Sequence, residues 1–368
     1  MEKKGSILEN MVMNNLFNGI YKNKNILITG HTGFKGSWLT LWLKKMGAKV
    51  IGYALKPPTI PNHFDILNLE IETIIGDIRD RKKLNGVFNK YLPEIIFHLA
   101  AQPIVKKSYD DPIYTLETNI IGTANIYEEC KKLNSVKAII NITSDKCYEN
   151  KEWVWGYREN DAMGGYDPYS VSKGCSELIT SAYRNSFFNI TKYKKTHNIL
   201  LASCRAGNVI GGGDWGADRL IPDIVKAASK NQHTIIRNPN STRPWQHVLD
   251  ALSGYLLLGQ KLLEGKTAFS EAWNFGPSDN QVIDVEKIAK ISKNIWKKIE
   301  YRLNNKELKQ HESNMLKLDC SKANSQMGWY PKWNIAKTIN KTINWYKSYY
   351  ENNCINSYQD LTEYCNHF

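Results

Sequence analysis

Long uniform runs are missing from this chain. It has no stretch of 18 apolar residues, which removes a membrane-spanning helix. It has no internal repeat and no low-complexity linker. Its seven cysteines, spread over 368 residues, form no C-x-x-C and no Cys/His ligand spacing. An odd, dispersed count predicts reduced thiols in a cytosol, with neither a disulfide frame nor a zinc site, so no metal is expected. The N-terminus carries charges without an apolar h-region, which argues against a signal peptide. Residues 1–20 read as a polar leader, with Met11 and Met13 as alternative starts. The formal net charge is +13, yet no long basic run accompanies it. The lysines fall in scattered pairs such as Lys44-Lys45 and Lys297-Lys298. That distribution favours attraction of an anionic small substrate over nucleic acid. Lys- and Asn-rich usage also fits an AT-rich genome.

What is present is an alternation. Ile26-Leu27-Ile28 precedes a helical pattern carrying Trp38, Leu39, Trp42 and Met46, closed by Gly47. Apolar runs then recur at Val50–Tyr53, Thr73–Ile75, Ile95–Leu99, Ala138–Ile142 and Leu200–Cys204, with helical patterns near residues 113–133 and 169–190 between them. Continuous apolar strands alternating with helices predict an α/β fold, a doubly wound parallel sheet. Past residue 207 the rhythm breaks at Gly211-Gly212-Gly213-Asp214-Trp215. Residues 21–207 therefore read as a dinucleotide-binding domain, with a return segment at about 233–279. Residues 208–232 and 280–348 read as a smaller substrate lobe, and 349–368 as a C-terminal tail that packs as a helix or trails loosely.

Gly30-His31-Thr32-Gly33-Phe34-Lys35-Gly36 follows a strand and opens a helix. Glycines there let the backbone approach a pyrophosphate, toward which the helix directs its first amides. The three-then-three spacing resembles that of short-chain dehydrogenases. Gly76-Asp77-Ile78 ends a strand where adenine could be read. His98-Leu99-Ala100-Ala101-Gln102 ends another, beside the expected nicotinamide. An NAD enzyme often places an acid at the end of the second strand, but this chain has Lys56, which would favour a 2′-phosphate and keeps NADP open.

Tyr169 and Lys173 lie four apart and share a helical face. A phenol of ordinary pKa near 10 is a poor base at pH 7, and a nearby ammonium favours the phenolate. Ser144, at a strand end, would complete the set by bonding the substrate oxygen. Asp145 and Lys146 follow directly. They are either a second acid/base pair across a bound sugar or a turn cap and a solvated cation.

With these residues in view, the chain resembles extended short-chain dehydrogenases acting on nucleotide sugars, and within them the CDP-glucose 4,6-dehydratase group. The matching stretches are Gly30–Trp38, Ile142–Tyr148, Trp153–Glu159, Met163–Ser170, Arg205–Trp215 and Arg243–Val248, spread over about residues 17–350. The dTDP-type enzymes carry Asp-Glu where this chain has Asp145-Lys146. The resemblance implies a lyase with a retained NAD. Tyr169, with Ser144 and Lys173, takes the C4 hydroxyl proton. Asp145 and Lys146 serve the C5 deprotonation and loss of the C6 hydroxyl, in either assignment. It further implies that Thr32, Phe34, Lys35, Asp77, Ile78, Ala100, Ala101, Gln102 and Asn119 join the glycines, Tyr169 and Lys173 around the cofactor. Ser108, Asn208, Arg219, Arg237, Arg243 and Trp245 are implied to hold the substrate. Trp215, Trp245 and His247 either line the nucleotide pocket or pack the small lobe. A cytoplasmic homodimer, in a route to cell-surface O-antigen deoxysugars, is the remaining implication. An epimerase shares the glycine turn and the Tyr/Lys pair but does not need Asp145-Lys146, so that pair favours elimination.

Overall fold

A computed structural model describes residues 13–278, 282–303 and 315–368. Residues 1–12 of the expected leader, the alternative start at Met11, and residues 280–281 and 304–314 of the expected small lobe lie outside the described residues.

Seven strands form one sheet: β1 (Asn25–Thr29), β2 (Lys49–Ala54), β3 (Glu72–Ile75), β4 (Ile95–His98), β5 (Ala138–Ile142), β6 (Leu200–Ala206) and β7 (Ala272–Phe275). Their spatial order is β7-β6-β5-β4-β1-β2-β3, and every pairing is parallel. The chain starts mid-sheet, winds outward to β3, then crosses back to build the other half. The order reverses between β1 and β4, and a doubly wound sheet binds its ligand outside the strand ends at such a reversal.

Helices cover both faces, which is why β1, β4, β5 and β6 are buried at nearly every position and mostly apolar. The longer helices are α1 (Phe34–Lys45), α2 (Arg81–Tyr91), α3 (Gly122–Cys130), α4 (Pro168–Ser186), α5 (Leu220–Ser229), α6 (Val248–Leu263), α7 (Val285–Ile295), α8 (Ile335–Asn352) and α9 (Ser357–Cys365). On one face Trp38 and Trp42 of α1 and Leu252, Leu256 and Leu262 of α6 pack on Ile26, Ile28, Phe97 and Ile140. On the other, Leu84 and Phe88 of α2 and Ile126 and Tyr127 of α3 meet Leu27, Ile96, Ile139 and Leu201.

A third cluster unites α5, α7 and α8 with Trp215, Trp245 and Trp296, and this is the smaller lobe. Two short strand pairs belong to it: His233–Ile236 with Glu300–Leu303, and Thr242–Pro244 with Val282–Asp284. The return to the sheet therefore begins at Val248 with α6, and not near residue 233, because 233–236 finds its strand partner in the small lobe.

The two ends also differ from expectation. Met13, Leu16 and Phe17 are buried in the main core, so the polar leader does not extend to residue 20. Their apolar side chains find cover where α1, α6 and the C-terminus meet: Phe17 packs on Trp42 and on Phe368. The tail carries α9, whose Leu361 and Tyr364 are buried, and the Tyr364 hydroxyl donates to Asp250 Oδ1 of α6 at 2.7 Å. Among the described residues no helix is long and apolar enough to cross a membrane, and no group of His, Cys, Asp or Glu could hold a metal. None of the seven cysteines is in a disulfide.

If α9 is part of the main core, Leu361→Ala leaves a cavity and lowers unfolding free energy by about 2–5 kcal/mol. Urea denaturation measures it, and an unchanged midpoint would show that α9 is not part of the cooperative unit.

Candidate active site

The glycine turn is dictated by its own packing. Gly30 sits at φ +80°, and a Cβ there would lie 2.7 Å from the Ala100 amide nitrogen at the end of β4. A Cβ on Gly36 would lie 2.1 Å from the Gly30 carbonyl. These two glycines press α1 against the β1 turn. Gly33 is different, since its missing Cβ faces only the Gly30 oxygen at 3.3 Å and otherwise open space. Gly33 is also the N-cap of α1 and provides no side-chain cap, so the first amides of the helix remain available. The turn thus leaves an open cradle in front of a helix N-terminus, and a dinucleotide's pyrophosphate fits it.

The flanking residues expected at the cofactor divide into two kinds. Asn119 is buried in a π-helical turn (Glu117–Ile121), where its Oδ1 accepts from the Gln102 amide at 2.8 Å and its Nδ2 donates to Ser172 Oγ at 2.8 Å. That clamp fixes the end of β4 to α4. Asp77 is engaged by Arg79, which holds its carboxyl below the usual range despite burial. Thr32 donates to the Leu55 carbonyl at 2.9 Å, and Lys56 is exposed beside it.

The residues expected to react lie on two neighbouring elements. Asp167 caps α4 by accepting from the Ser170 amide at 2.9 Å, and Pro168 opens the helix. That start places Tyr169 in the first turn and Lys173 in the second, both buried. Beyond β5 the chain makes one 3₁₀ turn, Asp145–Cys147, capped by Ser144, whose Oγ accepts from the Lys146 amide at 3.2 Å. Ser144 Oγ donates to Asp145 Oδ1 at 2.9 Å and shares a hydrogen bond with the Tyr169 hydroxyl. Ser144, Asp145 and Tyr169 are therefore brought together. Lys146, on the same turn, is half-buried.

Burial sets the proton affinities. It pushes the Tyr169 phenol up to about 12, against the Ser144 hydrogen bond and the Arg219 guanidinium that pull it down. It pushes Lys173 down to about 8. Asp145 is raised from the ordinary carboxyl range, again by burial, with Lys146 opposing. Asp145 accordingly holds a proton more readily than a solvated carboxyl.

Some placements were not anticipated. Lys35, expected only at the cofactor, directs its Nζ to within 3.5 Å of the Tyr255 hydroxyl of α6. Burial lowers it to about 8, and Lys173, Asp145 and Arg219 act on it electrostatically. Arg219, expected at a diphosphate, pairs with Asp214 at 2.7 Å and acts on Tyr169. Glu177, Arg205 and Tyr148 form a buried network beneath these groups. Glu177 falls four residues after Lys173, a spacing that could have exposed it in the sequence.

The expected substrate residues are more dispersed. Asn208 gives its carbonyl to the Gln246 amide, and Arg243 donates to the Thr242 carbonyl at 3.0 Å. Arg237 is exposed and reaches Asp218 at 3.5 Å. Ser108 is buried against the Val105 carbonyl. Trp215 donates to the Tyr350 hydroxyl, His247 packs at a tilt against Trp333, and Trp245 is 5% exposed. These three aromatic groups pack the small lobe and its junction with α1.

The family model for GDP-mannose 4,6-dehydratase matches residues 27–342. A CDP-glucose 4,6-dehydratase of Salmonella typhimurium is 53% identical over 348 residues, covering 94% of this chain and 97% of that protein. Among solved structures, an epimerase of Methanothermobacter thermautotrophicus superposes with a TM-score of 0.78 at 25% identity, covering 94% of this chain and 97% of that one. A dTDP-glucose 4,6-dehydratase of Bacillus anthracis, solved with NAD, superposes at 0.70 and 21% identity, covering 88% and 97%, and shares the fold.

Because a Cβ on Gly36 collides with backbone, Gly36→Ala should weaken dinucleotide binding about tenfold or more. Fluorescence titration reads it, with circular dichroism confirming an intact fold. Unchanged affinity would detach the turn from the cofactor.

Proposed function

The chain belongs to the GDP-mannose 4,6-dehydratase family, and from that membership and the site's geometry we propose that it converts CDP-glucose to CDP-4-keto-6-deoxyglucose and water. The observation that carries this reading is the turn after β5. It sets the buried acid Asp145 beside Ser144 and Tyr169, in a chain 53% identical to a CDP-glucose 4,6-dehydratase. An oxidation alone needs no second acid there.

The residues act in sequence. Tyr169 takes the C4 hydroxyl proton, aided by the Ser144 hydrogen bond and the Arg219 charge that favour its phenolate. Ser144 orients the same oxygen. A C4 ketone makes the C5 proton acidic, so a base can remove it while an acid protonates the departing C6 hydroxyl. Asp145, whose proton affinity burial raises, suits the acid. Lys146, on the same turn, is the partner base. The cofactor is NAD, which the B. anthracis enzyme of this fold also holds. The open cradle at Gly33 would hold it, with Lys173 as a further contact, and it would supply the hydride acceptor that oxidation at C4 needs and the hydride donor that reduction at C6 needs. Lys56, exposed at the end of β2, leaves room for NADP.

The protein works as a cytoplasmic homodimer in deoxysugar synthesis for the cell surface, including O-antigen. Ile113, Ile121, Val171 and Leu178 are exposed on adjoining helices and support pairing with a second copy through that face.

Purified enzyme with NAD should give a 6-methyl, 4-keto product by NMR from CDP-glucose, and none from dTDP-, GDP- or UDP-glucose. No product from any of the four would overturn the reading. Asp145→Asn should keep cofactor affinity and slow product formation by about 10²–10⁴-fold; undiminished dehydration would remove Asp145 from the chemistry. Light scattering should give twice the chain mass, and a monomer's mass refutes the dimer.

A further inference from the structure

Beneath the reacting groups lies a buried ion pair that the reaction as described does not use. Glu177 of α4 and Arg205 of β6 are 4% and 3% exposed, with Oε2 and Nη2 2.9 Å apart. Glu177 accepts two further bonds, from Thr143 Oγ1 at 2.5 Å and Ser203 Oγ at 2.7 Å. One carboxylate thus ties α4 to the ends of β5 and β6. Arg205 extends the connection. Its Nη1 donates to the Tyr148 hydroxyl at 2.6 Å and to the Glu159 carbonyl at 2.9 Å, and its guanidinium lies over the Tyr148 ring. Tyr148 in turn donates to Asn274 Oδ1 of β7 at 2.8 Å and closes the turn that bears Ser144, Asp145 and Lys146.

A buried ion pair is a poor device for stability alone, because desolvation offsets much of the attraction. This one links the two halves of the site. Tyr169 and Lys173 stand on α4 two turns and one turn before Glu177, respectively, and the acid stands on the turn that Tyr148 fastens. We propose that Glu177 is a positioning residue for the reaction: with Arg205 it fixes the Ser144–Lys146 turn against α4, and its carboxylate is the counter-charge to Lys173 one helical turn away.

The electrostatics agree in direction. Burial lowers Lys173 to about 8, and Glu177 is the leading influence holding it up, followed by Cys147 of the catalytic turn. His98 of β4 and Lys35 of the glycine turn also face Lys173, and both are depressed by its charge after burial. Glu177 itself stays below the usual carboxyl range, because Arg205, Thr143 and Ser203 outweigh its burial. Removing the carboxylate charge therefore lowers Lys173 further, and its ammonium is lost at a lower pH. Whatever needs that ammonium fails earlier on the alkaline side.

The inference rests on the reading of Tyr169 and Lys173 given above. The test is the pH dependence of kcat/KM on CDP-glucose and, separately, of NAD affinity by fluorescence. It uses Glu177→Gln, Glu177→Asp and the double variant Glu177→Gln/Arg205→Gln, which leaves no unpaired charge in the core. In the two variants that are charge-free at residue 177 the alkaline limb should move to lower pH by about one unit, for turnover and for NAD binding alike. Glu177→Asp should return the limb to its wild-type position with reduced kcat. If the single Gln variant does not fold, the double variant decides. Limbs that superimpose on wild type in a folded charge-free variant, whatever the loss of kcat, reduce Glu177 to a structural residue and overturn the proposal. A wild-type enzyme that turns over none of the nucleotide sugars, while the limb of NAD binding shifts as described, would strike the functional reading and leave this one standing.

Discussion

The parallel direction of all seven strands is the constraint from which the site follows. Parallel strands place every carboxyl end along one edge, so the segments leaving β1, β4, β5 and β6 emerge side by side. Those segments are the glycine turn, the Ala100–Gln102 stretch, the Ser144–Cys147 turn and the Arg205–Asn208 stretch. A residue pair as distant in sequence as Gly30 and Ala100 meets at that edge, at a separation that admits no Cβ. The same sheet must be covered on both faces, which is why α1 and α4 pack where their first turns reach the edge.

Burial then determines how the edge behaves chemically. The same loss of water lowers Lys173 and Lys35 and raises Tyr169 and Asp145. The Asp145 carboxyl and the two ammonium groups, far apart in water, are thereby drawn toward one another, whereas the Tyr169 phenol, level with an ammonium in water, is held above Lys173, at about 12 against about 8. Tyr169 therefore depends on the Ser144 hydrogen bond and the Arg219 charge to ease its ionisation. The ion pair of Glu177 and Arg205 shows the opposite case. There the partners satisfy each other, and neither is available to exchange protons.

The sequence made the sheet legible because doubly covered strands carry apolar residues on both faces in near-continuous runs, a signal that needs no partner to be read. The pair Tyr169/Lys173 was legible for a similar reason: helical spacing alone puts both on one face. Arg219 was not legible in this sense. Its approach to Tyr169 depends on how the Gly211–Trp215 loop folds back over the sheet edge, a long-range contact that no local spacing records. Phe17 reads as polar-leader sequence for the same reason, since its cover comes from Phe368 at the far end of the chain. His247 and Trp245 suit a nucleotide pocket and a core equally in the sequence, because a large aromatic side chain serves both, and their packing against Trp333 and the α8 cluster depends on long-range contacts.

Charge balance connects the pocket to the kind of ligand it accepts. Lys35 is depressed first by burial and then by Lys173, while Asp145 is the first group that supports it and Arg219 opposes it again. Three cations thus crowd one acid that already tends to keep its proton. Left alone, the crowding costs each ammonium part of its charge. A ligand bearing a diphosphate would supply the missing negative charge and raise both lysines toward their ordinary range. By linkage the same cations favour that ligand over a neutral sugar of equal shape. The excess positive charge of the chain as a whole, +13 in formal terms, is therefore less informative than these few buried members of it. A surface lysine is screened by water and salt, whereas one held beside Tyr169 at the sheet edge is not.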